Sequence, residues 1–310
     1  MNQEKPKDIA ASVRQKLLNR ARQQKEDFQL ILTRYALERF LFRLSKSKYK
    51  DNFVLKGAFM FLIWMAQPYR PTRDLDLLGL GEDSTKHLIS VFKKICSIRQ
   101  DDGLEFVMDS VSAEEIRDNQ EYNGVRITFT AELKGARIPL QIDIGFGDIV
   151  TPKSRIETFP TILDMPSPKL QTYPKETVIA EKYEAMIRWG IANSRMKDFY
   201  DIWILQKEFN FEGAILSKAI RATFNRRNTV LPENTPLALS PDFYMDTSKQ
   251  VLWAAFFNRT LLRPPVIDFK NIIKEIHAFL IPPTKALIQD KKFNLFWTSG
   301  GPWKKTKNQS

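Results

Sequence analysis

Asp74 and Asp76, two residues apart in Thr72-Arg73-Asp74-Leu75-Asp76-Leu77, have the type and spacing to do chemistry together. Side chains at i and i+2 of a strand leave the same face, so both carboxylates project together while Leu75 and Leu77 enter the core. Two such carboxylates repel, and one is driven toward its neutral form unless a cation lies between them. Mg2+, or Mn2+ in its place, suits the position, because it takes oxygen ligands and is held by one or two carboxylates plus phosphate oxygens. A second apolar strand, Pro139-Leu140-Gln141-Ile142-Asp143-Ile144-Gly145, carries Asp143 opposite Ile142 and Ile144. An acid in such surroundings is costly unless paired or metal-bound. If the two strands are neighbours, Asp143 completes a three-carboxylate cluster able to hold two ions roughly 3.5–4 Å apart, as suits in-line displacement at phosphorus. Otherwise Asp143 is a surface-facing strand residue or the partner of a nearby arginine. Lys56-Gly57-Ala58 adds a glycine between a strand and a helix, where backbone amides can approach a phosphate closely.

These residues need a scaffold. Apolar positions over 8–50 recur at three- and four-residue spacing, which predicts helix, with Arg14, Lys16, Arg20, Arg22 and Lys25 between them. Phe53 to Gly57 reads as a short strand, and AFMFLIWMA from Ala58 as a buried helix stopping before Pro68. Arg73 to Leu78 reads as a strand and 84–99 as a helix. Strands follow at Phe106–Met108, Val125–Ala131 and Ile138–Ile144. The five prolines of 151–174 predict an extended connector. Helices are expected at 175–192, 197–209, 212–227, 246–260 and 266–280, with a loop at 229–243. The aromatic, lysine-rich end reads as a mobile or partner-bound tail. The expected class is α+β: a small mixed β-sheet core with N-terminal helices over 1–160, a mostly helical domain over 161–290, and a basic aromatic tail over 291–310.

Composition excludes several alternatives. With two histidines and one cysteine in 310 residues, a zinc site built from several such ligands is ruled out, and neither His87 nor His277 lies in a nucleophile motif. The longest apolar run, Ala58 to Ala66, falls short of the roughly 20 residues that cross a bilayer. The first ten residues carry no apolar core for secretion. With the lone Cys96 these features predict a cytoplasmic protein without membrane partners. The formal charge of +12 attracts polyanions, RNA among them, although solubility or an acidic partner protein also accounts for it.

Four stretches, RLSKSKYKDNFVLKGA, RPTRDLDLL, LQIDI at 140–144 and AEKYEAMIRWGIANSRMKDFYDIWIL, together resemble the AbiEii/AbiGii-type nucleotidyltransferase toxins, within the DNA polymerase β-like nucleotidyltransferase superfamily. The last stretch is the most specific, with a lysine on a helix followed by R-x-K-D-x-x-D. The resemblance implies a transferase that moves a nucleoside monophosphate from an NTP to an acceptor, for some members the 3′ end of tRNA, and that is paired with a cognate antitoxin. It makes Asp74 and Asp76 the principal metal ligands and Asp143 the third acid. It also makes Lys182 a phosphate contact, Asp198 a functional acid, and Lys56, Gly57, Ala58, Thr72 and Arg73 nucleotide-binding positions. Family members carry Gly-Gly or Gly-Ser/Thr at the turn; here Ala58 supplies no hydroxyl. Read from the residues alone, Lys182 borders the apolar stripe of Ile179, Tyr183, Met186 and Ile187, as snorkelling lysines do. Asp198 reads as a helix cap, and Asp201 as the i, i+4 partner of Lys197. Nucleotidylation of a small molecule or protein, an RNA-cleaving use of the same acids, and a non-catalytic basic binding module are the alternatives; a glycosyltransferase would also use DxD and a metal, but it needs neither the glycine turn nor the single-Asp strand.

Overall fold

The computed structural model describes residues 8–65, 72–118, 122–259 and 268–305, and the chain forms two compact units. The first comprises 1–147 with 155–172; the second comprises 148–154 with 173–310.

In the first unit α1 (Ile9–Gln24) begins at Asp8, whose carboxylate accepts from the Ala11 amide at 2.9 Å. The expected single helical stretch is divided at Lys25, which ends α1 in the left-handed region at φ 53°, and at Asp27, which caps α2 (Phe28–Lys46) through the Leu30 amide. α2 is buried almost all round between Leu30 and Leu44. Its Arg43 is tolerated there because the guanidinium forks onto Asp102 at 2.6 and 3.0 Å. The remaining elements are β1 (Phe53–Lys56), α3 (Met60–Trp64), β2 (Leu75–Gly79), α4 (Thr85–Cys96), β3 (Glu105–Asp118), β4 (Tyr122–Leu133), β5 (Ala136–Phe146), β6 (Arg155–Thr158) and β7 (Lys169–Thr172). They build a mixed seven-stranded sheet in the order β3-β4-β5-β2-β1-β7-β6. The expected α+β core with N-terminal helices is the observed architecture.

Alternation sorts the sheet's faces. Ile138, Leu140, Ile142 and Ile144 of β5 share one core with Leu75 and Leu77 of β2, Phe40 of α2 and Phe92 of α4. The intervening residues Gln141 and Asp143 project from the opposite face. The stretch 151–174 is more than a connector: β6 and β7 form a hairpin, and β7 joins the sheet in parallel with β1, pairing Thr172 with Leu55. Prolines disguise these strands because they lie just outside them, at 160, 166, 168 and 174.

The second unit contains α5 (Lys175–Trp189), α6 (Met196–Glu208), β8 (Phe211–Glu212), α7 (Gly213–Arg226), α8 (Pro241–Met245), α9 (Thr247–Arg259), α10 (Phe269–Ile288), β9 (Phe296–Trp297) and β10 (Trp303–Lys304). Two corrections apply to the expected layout. The segment 229–243 includes the start of α8, and α10 runs past the expected end at 280, through Pro282 and Pro283. The extension of α10 leads to a third. Pro283 has no N–H to give the Phe279 carbonyl four residues back, and that carbonyl instead accepts from the Trp303 indole at 2.9 Å. Trp303 also stacks on the Phe279 ring at 5.6 Å. Trp297 is buried and donates to the Gln206 carbonyl at 2.8 Å. The aromatic stretch expected as a tail is therefore part of the helical unit, as a three-stranded sheet in the order β10-β9-β8.

Candidate functional site

The site of the first unit is a row of side chains across five strands. Glu114 on β3 pairs in register with Arg126 on β4, Arg126 with Asp143 on β5, Asp143 with Asp76 on β2, and Asp76 with Lys56 on β1. Adjacent strands lie about 4.8 Å apart, so five charged groups follow one another across one face in the order acid, base, acid, acid, base. The backbone therefore brings Asp143 beside Asp76. Asp74 lies one residue before β2, exposed, rather than within a strand, and the Thr72 hydroxyl donates to its carbonyl at 3.2 Å. Its charge still reaches the row: together with Asp143, which bonds it directly, and Glu114, it stabilises the protonated Arg126 guanidinium and raises its pKa. Arg73 is exposed beside it.

The turn after β1 is built around Asp76. Gly57 adopts φ +71°, and a Cβ placed there would lie 1.9 Å from Asp76 Oδ2. Only a residue without a side chain lets that carboxylate rest against the backbone. The helix beyond is shorter than its composition suggests: a 3-10 turn, Gly57–Phe59, leads into α3 of five residues. The useful groups at Gly57 and Ala58 are therefore backbone amides rather than a helix dipole. Gly57→Ala is expected to destabilise the first unit by about 1–3 kcal/mol, through positive φ and the displaced Asp76 carboxylate. Ala58→Gly should shift urea denaturation far less. Equal midpoints for the two variants would refute this account of the turn.

The donor set fits a hard divalent cation in part. Asp74, just ahead of β2, and Asp76 within it are two carboxylates close in the chain, and one or two carboxylates are what Mg2+ ordinarily takes from protein. Asp143 is committed elsewhere: its oxygens accept from Arg126 Nε and Nη2, both at 2.9 Å, with Gln141 Nε2 at 3.3 and 3.4 Å. Among the described residues no group of three acid, histidine or cysteine side chains is placed to hold an ion. The arginine-partner alternative is thus the arrangement observed for Asp143.

A second cluster lies in the second unit. Lys182 of α5 reaches Asp198 Oδ1 at 2.6 Å and Asp201 Oδ2 at 2.8 Å, and Arg195 Nε meets Asp198 Oδ2 at 2.6 Å. Both acids, on α6, are fully buried. Gly190, at φ 45°, ends α5, and the short connection to Met196 brings the start of α6 back beside it. Burial pushes the Asp198 pKa up, but Lys182 and Arg195 outweigh it and hold the carboxyl below its ordinary value. Lys182 is accordingly a fixed cation and not a snorkelling one. Asp201, read from sequence as the partner of Lys197, gives an oxygen to Lys182. Asp201, Arg126 and Glu114 are the residues that sequence reasoning missed. Arg126 had a readable signal in the two-residue turn Lys134-Gly135, with φ of 45° and 78°. Counting back from the Leu133–Ala136 pair along this hairpin aligns Arg126 with Asp143.

Residues 39–275 match the family model described as "Nucleotidyl transferase AbiEii toxin, Type IV TA system". No curated protein matches the chain. Two Helicobacter pylori crystal structures are similar. One is of JHP933, at 14% identity and TM-score 0.49, covering 85% of this chain and 95% of that one. The other, described as a candidate nucleotidyltransferase, has 14% identity and TM-score 0.48, covering 86% and 100%.

Proposed function

The chain belongs to the AbiEii nucleotidyl transferase toxin family of type IV toxin–antitoxin systems, and from that premise we propose that it transfers a nucleoside monophosphate from an NTP to an RNA hydroxyl, the 3′ end of tRNA being the leading acceptor. The observation that carries this reading is Asp76 resting against the left-handed Gly57, with Asp74 two residues away on the same segment. A bound divalent cation supplies charge neutralisation at the triphosphate and acidifies the acceptor hydroxyl. Asp74 and Asp76 would hold it. The hydroxyl oxygen forms the new bond to the α-phosphorus as the bond to pyrophosphate breaks. The residues of this chain bind and orient: backbone amides at Gly57 and Ala58 with Lys56, Thr72 and Arg73 on the nucleotide, and Lys182, held by Asp198 and Asp201, on phosphate. Little covalent chemistry is asked of them, so positioning and electrostatics supply most of the rate. Family membership brings a cognate antitoxin as partner.

RNA as acceptor is supported by the net charge of +12 and by α1 with its C-cap, where Arg14, Lys16, Arg20, Arg22 and Lys25 are all exposed. No described helix is long and apolar enough to cross a membrane. The test is incubation of the purified protein with total RNA and each labelled NTP in turn, with Mg2+ or with chelator. Label on RNA, dependent on Mg2+, is the expected result. Shortened RNA without label identifies a nuclease, and label on protein or on a small molecule moves the acceptor to another class. Binding of the labelled RNA should weaken by orders of magnitude between about 50 and 200 mM salt, as counterion release requires. A flat salt profile would remove RNA from the reading.

A further inference from the structure

Arg126 holds the acid that a three-carboxylate cation site would need. Asp143 lies in register with Asp76, yet its oxygens are taken by the guanidinium at 2.9 Å each. The fork takes two of the carboxylate's roughly four in-plane lone-pair directions and the Gln141 amide lies against the same oxygens at 3.3 and 3.4 Å, which makes Asp143 a poorer ligand. The same guanidinium stands 3.9 Å from Glu114 and within the field of Asp74. It is about a third exposed, at 34%. It is therefore a cation held among acids, accessible, and of the geometry that binds phosphate oxygens in a fork as readily as a carboxylate. A triphosphate placed at the Gly57 turn would lie against the same face of the sheet.

We propose that Arg126 is a displaceable cap on Asp143: the arriving triphosphate draws the guanidinium onto its own oxygens, and Asp143 is released to join Asp74 and Asp76 around the cation. This rests on the nucleotidyltransferase reading and adds an order of events to it. Before nucleotide arrives Asp143 is withheld from the site and divalent cation binds weakly; with nucleotide present Asp143 joins it. Exchange of one forked, charge-assisted pair for another leaves no charge unpartnered, which keeps the swap accessible. Because linkage is reciprocal, cation strengthens nucleotide binding by the factor by which nucleotide strengthens cation binding. A protein built this way does not load metal idly, and an NTP is required to complete the site.

The test measures Mn2+ binding to the full chain without nucleotide, by the loss of the free-ion resonance signal or by calorimetry. It compares wild type, Arg126→Gln, Arg126→Lys, Asp143→Asn and the double variant Arg126→Gln/Asp143→Asn. Removing the cap should tighten Mn2+ by about tenfold. Arg126→Lys, which keeps the charge but loses the fork, should fall between. The double variant should return to the wild-type value or below, because the freed ligand is gone. In parallel, binding of a fluorescent NTP in chelator should weaken several-fold in Arg126→Gln. A purely structural Arg126 predicts unchanged or weaker Mn2+ binding, and either result overturns the cap. So does a double variant that binds as tightly as Arg126→Gln. Nucleotide transfer by the wild type, assayed separately, decides the underlying reading: transfer with no Mn2+ effect sinks the cap alone. Tighter Mn2+ without transfer keeps the cation site and sinks the reaction.

Discussion

Asp74→Asn is expected to lower nucleotide transfer by about 10²–10³-fold or more while leaving the unfolding midpoint within about 0.5 kcal/mol of wild type. The two halves have different causes. Asp74 is exposed, one residue ahead of β2, and its Thr72 hydrogen bond is to the backbone carbonyl, which asparagine retains. Among the described residues, its charge acts on the fold through the field at Arg126, which Asp143 bonds directly. The proposed chemistry needs that charge, because asparagine keeps the shape but removes the anion that would balance a divalent cation. Asp76→Asn should be as damaging to transfer and more so to stability, since Asp76 sits against Gly57 and beside Lys56. Labelled transfer and urea denaturation on the same preparations separate the effects. Full transfer by a folded Asp74→Asn protein would remove the catalytic assignment of the acid pair.

Lys182→Met carries the largest expected loss of stability. The substitution keeps the length of the side chain and deletes its charge, leaving Asp198 and Asp201 buried without the lysine they share, Arg195 remaining on Asp198. Breaking a buried pair by removing one partner costs about 3–5 kcal/mol, because the orphaned charge remains desolvated. The effect has a definite pH dependence. In the wild type Asp198 titrates below its ordinary value of 3.8, despite burial, because of Lys182 and Arg195. A carboxyl depressed in the folded state contributes stability at pH above its unfolded pKa and loses it as pH falls through the folded one. In Lys182→Met the largest lowering influence is gone and burial raises the pKa instead. The variant should therefore be most destabilised near pH 7 and recover part of the deficit as the pH falls and Asp198 takes up a proton. Asp201→Asn should be milder, since Lys182 keeps Asp198. A Lys182→Met protein as stable as wild type at pH 7, or with a deficit independent of pH, would show that the cluster is not a tightly coupled pair. Loss of transfer is expected as well, and the milder Asp201→Asn variant distinguishes phosphate contact from collapse of the second unit.

Both clusters show how the fold assigns partners that spacing leaves open. The DxD pair and the glycine turn are written in neighbouring residues, and so is the basic face of α1. The lysine and the two α6 acids are sixteen and nineteen residues apart, joined by one short connection, so their convergence required knowing where α5 stops. The family relationship was legible because it rests on four such local stretches, and the match over 39–275 covers all of them.

The sequence by itself determined what depends on short-range geometry. Alternation put Leu75 and Leu77 on the core side and Asp76 on the other. Glycine between a strand and a helix marked the turn, and three-to-four periodicity marked the helices of both units. Tertiary structure decided what depends on pairing between distant segments. It gave Asp143 to Arg126 and placed β6 and β7 at the sheet edge despite their flanking prolines. It also docked Trp297 and Trp303 onto the helical unit, where an indole fills the carbonyl that Pro283 leaves open. The reason is that side-chain direction is fixed by a residue's own φ and ψ and those of its neighbours. The partner of a charge or an orphan carbonyl is fixed instead by whichever group from the rest of the chain lowers its desolvation cost, and local spacing carries little record of that choice.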